Sequence, residues 1–172
     1  MSVLIREIAA DDINDLAALL VEVHAPHSAA LPHVYQPTTV DDRTKEFLHG
    51  LLVDPDMVLF GAEDAGQLVG YVAFRLLAAP QTPLHVPRRW VAIDTVVVQA
   101  ACRRQGIGEA LIGHVHKWAI AHGIDQVELL VAAFNATAIA FYEKLGYTTV
   151  MHRMGRSLAD SSPTQRRAEA GQ

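Results

Sequence analysis

The apolar and polar positions divide the chain into short segments of two kinds. Val3–Ile8 reads as a first strand. Asp11 or Asp12 can cap a helix in which Ile13, Leu16, Leu19, Leu20 and Val23 recur at the spacing of one helical face. The stretch HAPHSAALPHVYQP that follows is rich in histidine and proline and reads as an ordered loop and not a linker. A second helix is expected over Val40–Leu52, and Met57–Glu63 with Gln67–Leu77 predicts a hairpin turning through Asp64-Ala65-Gly66. Trp90–Val98 is a further strand. Beyond it strand and helix alternate. Gly106–His122 carries Ile107, Leu111, Val115 and Trp118 at helical spacing and stops at Gly123; Gln126–Ala132 alternates Val127, Leu129 and Val131 as a strand. Asn135 can cap a short helix that ends at Gly146, and Tyr147–Met154 predicts a last strand. Strands clustered first and β-α units afterwards predict an α/β (α+β) fold, with one mixed sheet and helices on both faces.

Composition narrows the possibilities. The 172 residues are 51% hydrophobic and 19% charged, which describes a globular chain with one domain, expected over residues 1–157. Residues 158–172 are small and polar and are expected to be disordered. A lone cysteine, Cys102, excludes an intramolecular disulfide and a multi-cysteine zinc site. No apolar run approaches the ~18–20 residues of a membrane span, and the N-terminus lacks the form of a signal peptide. The expected address is the cytoplasm, with no membrane partner. A net charge of −5 argues against nucleic acid as a partner. The charge is unevenly placed: residues 1–64 carry 12 acidic and 3 basic side chains, residues 65–172 carry 7 and 11. Either these are solvated faces of unequal sign, or the second half holds an anion while the first attracts a cation.

The segment Val96-Val-Val-Gln-Ala-Ala-Cys-Arg-Arg-Gln-Gly-Ile-Gly108 runs from a strand end into a helix start. Its core is Arg103-x-x-Gly106-x-Gly108. Glycines let backbone approach a ligand closely, and the unpaired N–H groups of a helix N-terminus favour an anion. Arg103 and Arg104 add positive charge, so a diphosphate suits the place. A dinucleotide fingerprint and a Walker loop are both excluded by the spacing and by the missing Gly-Lys-Ser/Thr. The nine histidines form no His-x-x-x-His or carboxylate constellation, so no metal is expected.

The run IDTVVVQAACRRQGIGEALIGHV resembles the coenzyme-A loop of the GCN5-related N-acetyltransferase (GNAT) family, whose Arg/Gln-x-x-Gly-x-Gly/Ala motif matches at Arg103, Gly106 and Gly108. A second family element matches downstream at Asn135, Ala138, Phe141-Tyr142 and Leu145-Gly146-Tyr147. Two departures stand inside the motif: Cys102 where an aromatic residue is common, and Arg104 where glycine is common. The resemblance implies the acyl-CoA N-acyltransferase fold, a mostly antiparallel sheet of about six or seven strands. It also implies acetyl-CoA as cosubstrate, no metal, and direct attack by a primary amine in a ternary complex.

Carried over residue by residue, the resemblance gives Val96, Val97 and Val98 the pantetheine arm, with the Val96 N–H polarising the thioester carbonyl. Arg104, Gln105, Gly106, Ile107 and Gly108 would present amides to the pyrophosphate beside Arg103. Asn135 would bond the arm or phosphate region, or serve only as a helix cap. Tyr142 would return a proton to the departing thiolate, or merely pack beside Phe141. Asp94 matches the carboxylate position of polyamine-type members and would act as base, orient a cationic acceptor, or only end a sheet hydrogen-bond network; by strand parity it falls with Val96 and Val98. Ala92 stands where histone-acetylating members carry glutamate. His27, His33, Tyr35 and His85 are candidate acceptor contacts. The expected acceptor is a cationic small molecule, with protein N-termini or lysines as an alternative and a non-catalytic acetyl-CoA sensor as another. A second copy of the chain is an expected partner.

Overall fold

The computed structural model describes residues 3–156 and Leu158. The tail expected over residues 158–172 therefore lies outside the described residues, Leu158 apart. Contacts group the chain into two compact units, Met1–Ala136 and Thr137–Gln172.

The first unit is a five-stranded sheet in the order β1-β2-β3-β4-β5: Leu4–Glu7, Met57–Asp64, Gln67–Ala78, Arg89–Val98 and Val127–Leu129. The first three pairings are antiparallel and β4 runs parallel to β5. The β2–β3 turn needs left-handed backbone at Ala65 (φ 50°) and Gly66 (φ 84°), which glycine adopts without strain. Helices α1 (Ile13–Ala30) and α2 (Asp42–Val53) cover one face, where Leu16, Leu19 and Leu48 pack with Leu59, Tyr71, Ala73 and Val97. Helix α3 (Ile107–Ala121) covers the other, with Phe74 edge-on to Trp118 at 5.0 Å and Phe60 to His114 at 4.4 Å between ring centroids. No helix among the described residues is long and apolar enough to cross a membrane.

The structure changes the sequence reading in three places. Helix α1 does not end before the histidines: it continues through Pro26 to Ala30, so His24 and His27 are helical. The surrounding alanines favour helix, and His27 Nδ1 bonds the Val23 carbonyl at 2.9 Å, one turn back. Strand β5 stops at Leu129, three residues short of the expected end, and Leu130 is 95% exposed. Tyr147–Met154 forms no strand. Its threonines and valine suit a pleated chain, but a strand exists only where a neighbour's backbone pairs with it. The sheet therefore has five strands among the described residues, not six or seven.

A network at the start of the sheet fixes how α1 leaves it. The Arg6 guanidinium binds Asp12 through two bonds of 2.7 and 2.8 Å and Glu63 through a third of 2.6 Å. The Asp12 carboxyl also accepts the Ala9 N–H at 2.8 Å. The Arg6 bonds, with that backbone bond, hold the Asp12 carboxyl below its ordinary range. A depressed folded value means the stabilisation is full above the unfolded value and fades as the acid is protonated. Asp12→Asn is expected to cost ~2 kcal/mol at neutral pH, since a half-buried charged bond is lost. Below about pH 4 the wild-type and variant unfolding curves should converge. Urea titrations at several pH values check this, and a constant gap would refute the assignment.

Candidate active site

Hydrogen bonding along β4 decides which backbone groups are available. The Val91 N–H binds the Gln126 carbonyl on the β5 side, and the Gln99 N–H binds the Val69 carbonyl on the β3 side. Since N–H and C=O alternate sides along a strand, Val97 faces β3 while Val96 and Val98 face outward. The β4–β5 ladder ends at the pair Ile93–Leu129, so the outward groups of Val96 and Val98 have no strand beside them among the described residues.

The register of β3 on β4 carries a bulge: Ala73 opposes Thr95 and Phe74 opposes Ile93, so Asp94 is the extra residue. Alternation is broken there. Asp94 and Thr95 both line the cavity on the α1–α2 side, whereas Val96 opposes Val72 on the α3 side. Asp94 thus does not share a face with Val96, as strand parity had suggested.

The turn after β4 is shaped for an anion. Arg104 (φ 64°) and Gly106 (φ 81°) are both left-handed, and Gly106 opens α3 with no side chain capping it. The first N–H groups of the helix, from Ile107 and Gly108 onward, have no intrahelical acceptor. Arg103 is directed elsewhere. Its Nε donates to the Val98 carbonyl at 2.9 Å and its Nη2 binds Glu22 Oε1 on α1 at 2.9 Å. The same oxygen accepts the Ala100 N–H at 2.6 Å. Arg103 therefore braces the turn, and Arg104 beside it makes no ion pair among the described residues. The Gln105 side chain bonds back to the Ala101 carbonyl at 3.4 Å.

A cavity of about 560 Å³ lies over β3 and β4, closed by α1, α2 and residues 36–39. Tyr71, Ala73 and Arg75, on one face of β3, form part of its lining with Asp94 and Thr95. Arg75 Nε and Nη2 both meet Asp94 Oδ2, at 2.9 and 2.7 Å, which leaves Oδ1 without a protein partner among the described residues. The Tyr71 ring is 2% exposed, and burial raises its phenol well above the usual value.

The remaining candidates are dispersed. His27 meets Tyr35 at 5.9 Å and Phe134 at 5.3 Å between centroids, and Tyr35 also meets His24 at 5.4 Å, an aromatic group beside the cavity residue His24. His33 is exposed in a turn, and His85 Nδ1 bonds Thr82 Oγ1 at 2.7 Å in the β3–β4 loop; neither lines the cavity. Asn135 precedes α4 (Ala136–Lys144), and its N–H binds the Ala132 carbonyl at 2.9 Å. In the second unit, Tyr142 lies on α4 with Phe141 at 5.2 Å and Tyr147 at 5.7 Å. Burial pushes the Tyr142 phenol up to about 12. Glu22, Tyr71 and Arg75 escaped the sequence reading. An arginine inside the apolar strand LVGYVAFRLLA was a signal for Arg75; nothing local marks Glu22, 81 residues from Arg103.

The model of the Acetyltransferase (GNAT) family matches residues 20–147, a span that takes in the open edge of β4 and the glycine-opened start of α3. The chain belongs to this family. Among curated proteins it is 30% identical over 118 residues to the L-ornithine N5-acetyltransferase NATA1 of Arabidopsis thaliana. The match takes in 64% of this chain and 51% of that protein, so the chain spans about half of its relative's length. The fold of this GNAT-family chain overlays on a tetramutant of the BH1408 protein from Bacillus halodurans with a TM-score of 0.84, at 23% identity, covering 90% of this chain and 99% of that one. It overlays on an aminoglycoside acetyltransferase from an uncultured soil sample with a TM-score of 0.66, at 20% identity, covering 90% and 96%. At these identities the overlays show a shared fold.

If Arg103 braces the turn through Glu22, Arg103→Ala and Glu22→Ala should be non-additive in stability. Both groups are partly exposed, so the coupling should lie below ~1 kcal/mol and shrink in high salt. A double-mutant cycle by urea unfolding checks this; strictly additive losses would mean the contact does no bracing.

Proposed function

We propose that the protein is an acetyl-CoA-dependent N-acetyltransferase that acetylates a primary amine of a small molecule in a ternary complex. The observation that supports it most is the position of the Asp94 bulge, between the open edge of β4 and a separate cavity. The groups present fit the cosubstrate: outward N–H and C=O groups on Val96 and the N–H of Val98 suit the amides of a pantetheine arm. Amides of residues 104–108, at a helix start with left-handed Arg104 and Gly106, suit a diphosphate. Acetyl-CoA would supply an activated thioester carbonyl.

In this reading the Val96 N–H steadies negative charge on that carbonyl oxygen. An amine of pKa near ~10.4 is almost wholly protonated at neutral pH, and only its neutral form attacks. Asp94 Oδ1 is the free oxygen that takes the amine's hydrogen bond and, directly or through water, its proton. Tyr142 is assigned the proton returned to the thiolate, on the motif match and on its phenol remaining protonated at neutral pH. Asn135 and the His27–Tyr35 group stand as contacts to the cosubstrate and the acceptor. The named activity of the ornithine relative supports a small-molecule amine as acceptor. The setting proposed is the cytoplasm.

Thiol release from acetyl-CoA across a panel of small amines, amino acids and peptides tests the reading. Turnover is expected with a small amine; binding of acetyl-CoA without turnover on any amine would make the protein a sensor. Tyr142→Phe should lower turnover by about 10²–10³-fold with acetyl-CoA affinity little changed. With a phenol near 12, the donor stays protonated through the alkaline range, so Tyr142 should impose no loss of rate below about pH 11. Full activity in the Phe variant would remove Tyr142 from the chemistry.

The anion site has its own test. The position of a Cβ on Gly106 meets nothing within 4 Å, so a substitution there acts through backbone strain and charge, not through a clash. Gly106→Glu should weaken acetyl-CoA binding by more than tenfold, roughly 1.4 kcal/mol, and by more than Gly106→Ala does. Calorimetry on folded variants with equal affinities would contradict the proposed diphosphate site.

A further inference from the structure

The charges around the cavity do not match a purely cationic acceptor. Among the residues that line it are two acids, Asp41 and Asp94, and two arginines, Arg43 and Arg75, with Arg43 exposed at the start of α2. A pocket for a polyamine would present carboxylates with nothing to satisfy them except the ligand. Here both are engaged. Asp41 caps α2, accepting the Thr44 N–H at 2.8 Å and the Thr39 hydroxyl at 2.7 Å. Asp94 receives two bonds from Arg75 on one oxygen.

The unused groups are mostly donors. Arg43 makes no hydrogen bond among the described residues, although its charge adds to the bonds from Thr39 and Thr44 in keeping the Asp41 carboxyl below its ordinary range. Arg75 retains Nη1. The Tyr71 hydroxyl has no protein partner among the described residues, on a ring only 2% exposed that lines the same cavity. The unused acceptor is Asp94 Oδ1. Closing a ligand over unpaired guanidinium and phenol donors is costly unless the ligand brings acceptors to them. A molecule carrying only ammonium groups brings none, and it would also be repelled by Arg43.

We infer that the acceptor is amphoteric: a small molecule bearing a carboxylate as well as the amine, the amine directed to Asp94 Oδ1 and the carboxylate to the cavity's unpaired donors, Arg43 foremost. The inference rests on the acetyltransferase reading and adds a specificity element to it. Arginine suits this task, since its planar fork matches a carboxylate with two parallel bonds. The surplus of acid in the N-terminal half then steers the amine without selecting against the carboxylate, because selection is made inside the cavity where the charges balance.

Three acceptors with the same reactive amine decide the matter: a diamino acid, its carboxamide, and the diamine lacking the carboxyl group. The free acid should show kcat/KM at least tenfold above the carboxamide and the diamine. Arg43→Gln should collapse that ratio toward one, and Arg43→Lys, which keeps the charge, should restore part of it. A wild-type protein that uses the carboxamide or the diamine as well as the acid would overturn the inference while leaving the acetyltransferase reading intact. If no amine is acetylated, that reading fails instead. Calorimetry of the same three compounds then decides the inference alone: tighter binding of the acid upholds it, and equal or weaker binding ends it.

Discussion

An antiparallel strand shows its side chains alternately to the two faces of a sheet, and the β3–β4 ladder keeps that rule except at Asp94. One extra residue there lets Asp94 and Thr95 face the cavity in succession, while Ile93 and Val96 stay with the α3 side. The strand can then do two things within a few residues. Its side chains reach the cavity over β3 and β4, and its backbone, past the end of β5, offers hydrogen bonds outward. A regular strand would have sent Asp94 and Val96 to one face. The carboxylate would then have lain among Val72, Phe74 and Trp118, where a charge is expensive.

The loops around this strand are held by pairs distant in sequence. Glu22 reaches from α1 to the Ala100 N–H and to Arg103, and Arg103 reaches the Val98 carbonyl, so one carboxylate ties helix, turn and strand end together. The arginine of the motif is consequently engaged within the protein, and Arg104 and the amides of the helix start are the groups left to the proposed diphosphate. In the middle of the strand Arg75 plays the corresponding part for Asp94, holding one oxygen and leaving the second without a partner among the described residues. In both places an ion pair too exposed to add much stability still fixes where a functional group points.

Much of the architecture was legible from local pattern. The hairpin through Ala65-Gly66, the helix opened by Gly106 and the strand Arg89–Val98 follow from turn chemistry, helical spacing and β-branched runs, all of which act over a few residues. The errors also had a common cause. The stretch beginning at His24 was read as a loop, yet the alanines around Pro26 and the His27 bond carry the helix through to Ala30. Tyr147–Met154 was read as a strand on propensity, which says nothing of whether a neighbouring edge is available.

The candidate site divides along the same line. The sequence by itself determined a glycine-opened helix start after β4, because Arg103-x-x-Gly106-x-Gly108 places glycine where the backbone takes left-handed φ. It also singled out Asp94 and Tyr142, the two groups to which the proposed mechanism gives its proton transfers. Only the tertiary structure decided which way Asp94 faces, that Arg103 turns to Glu22, and that Arg43, Tyr71 and Arg75 share one cavity. Those outcomes depend on a register shift between strands and on contacts between residues as much as 81 apart in the chain. No spacing rule covers such separations, because they are set by how the helices and strands pack and not by the residues that lie next to one another.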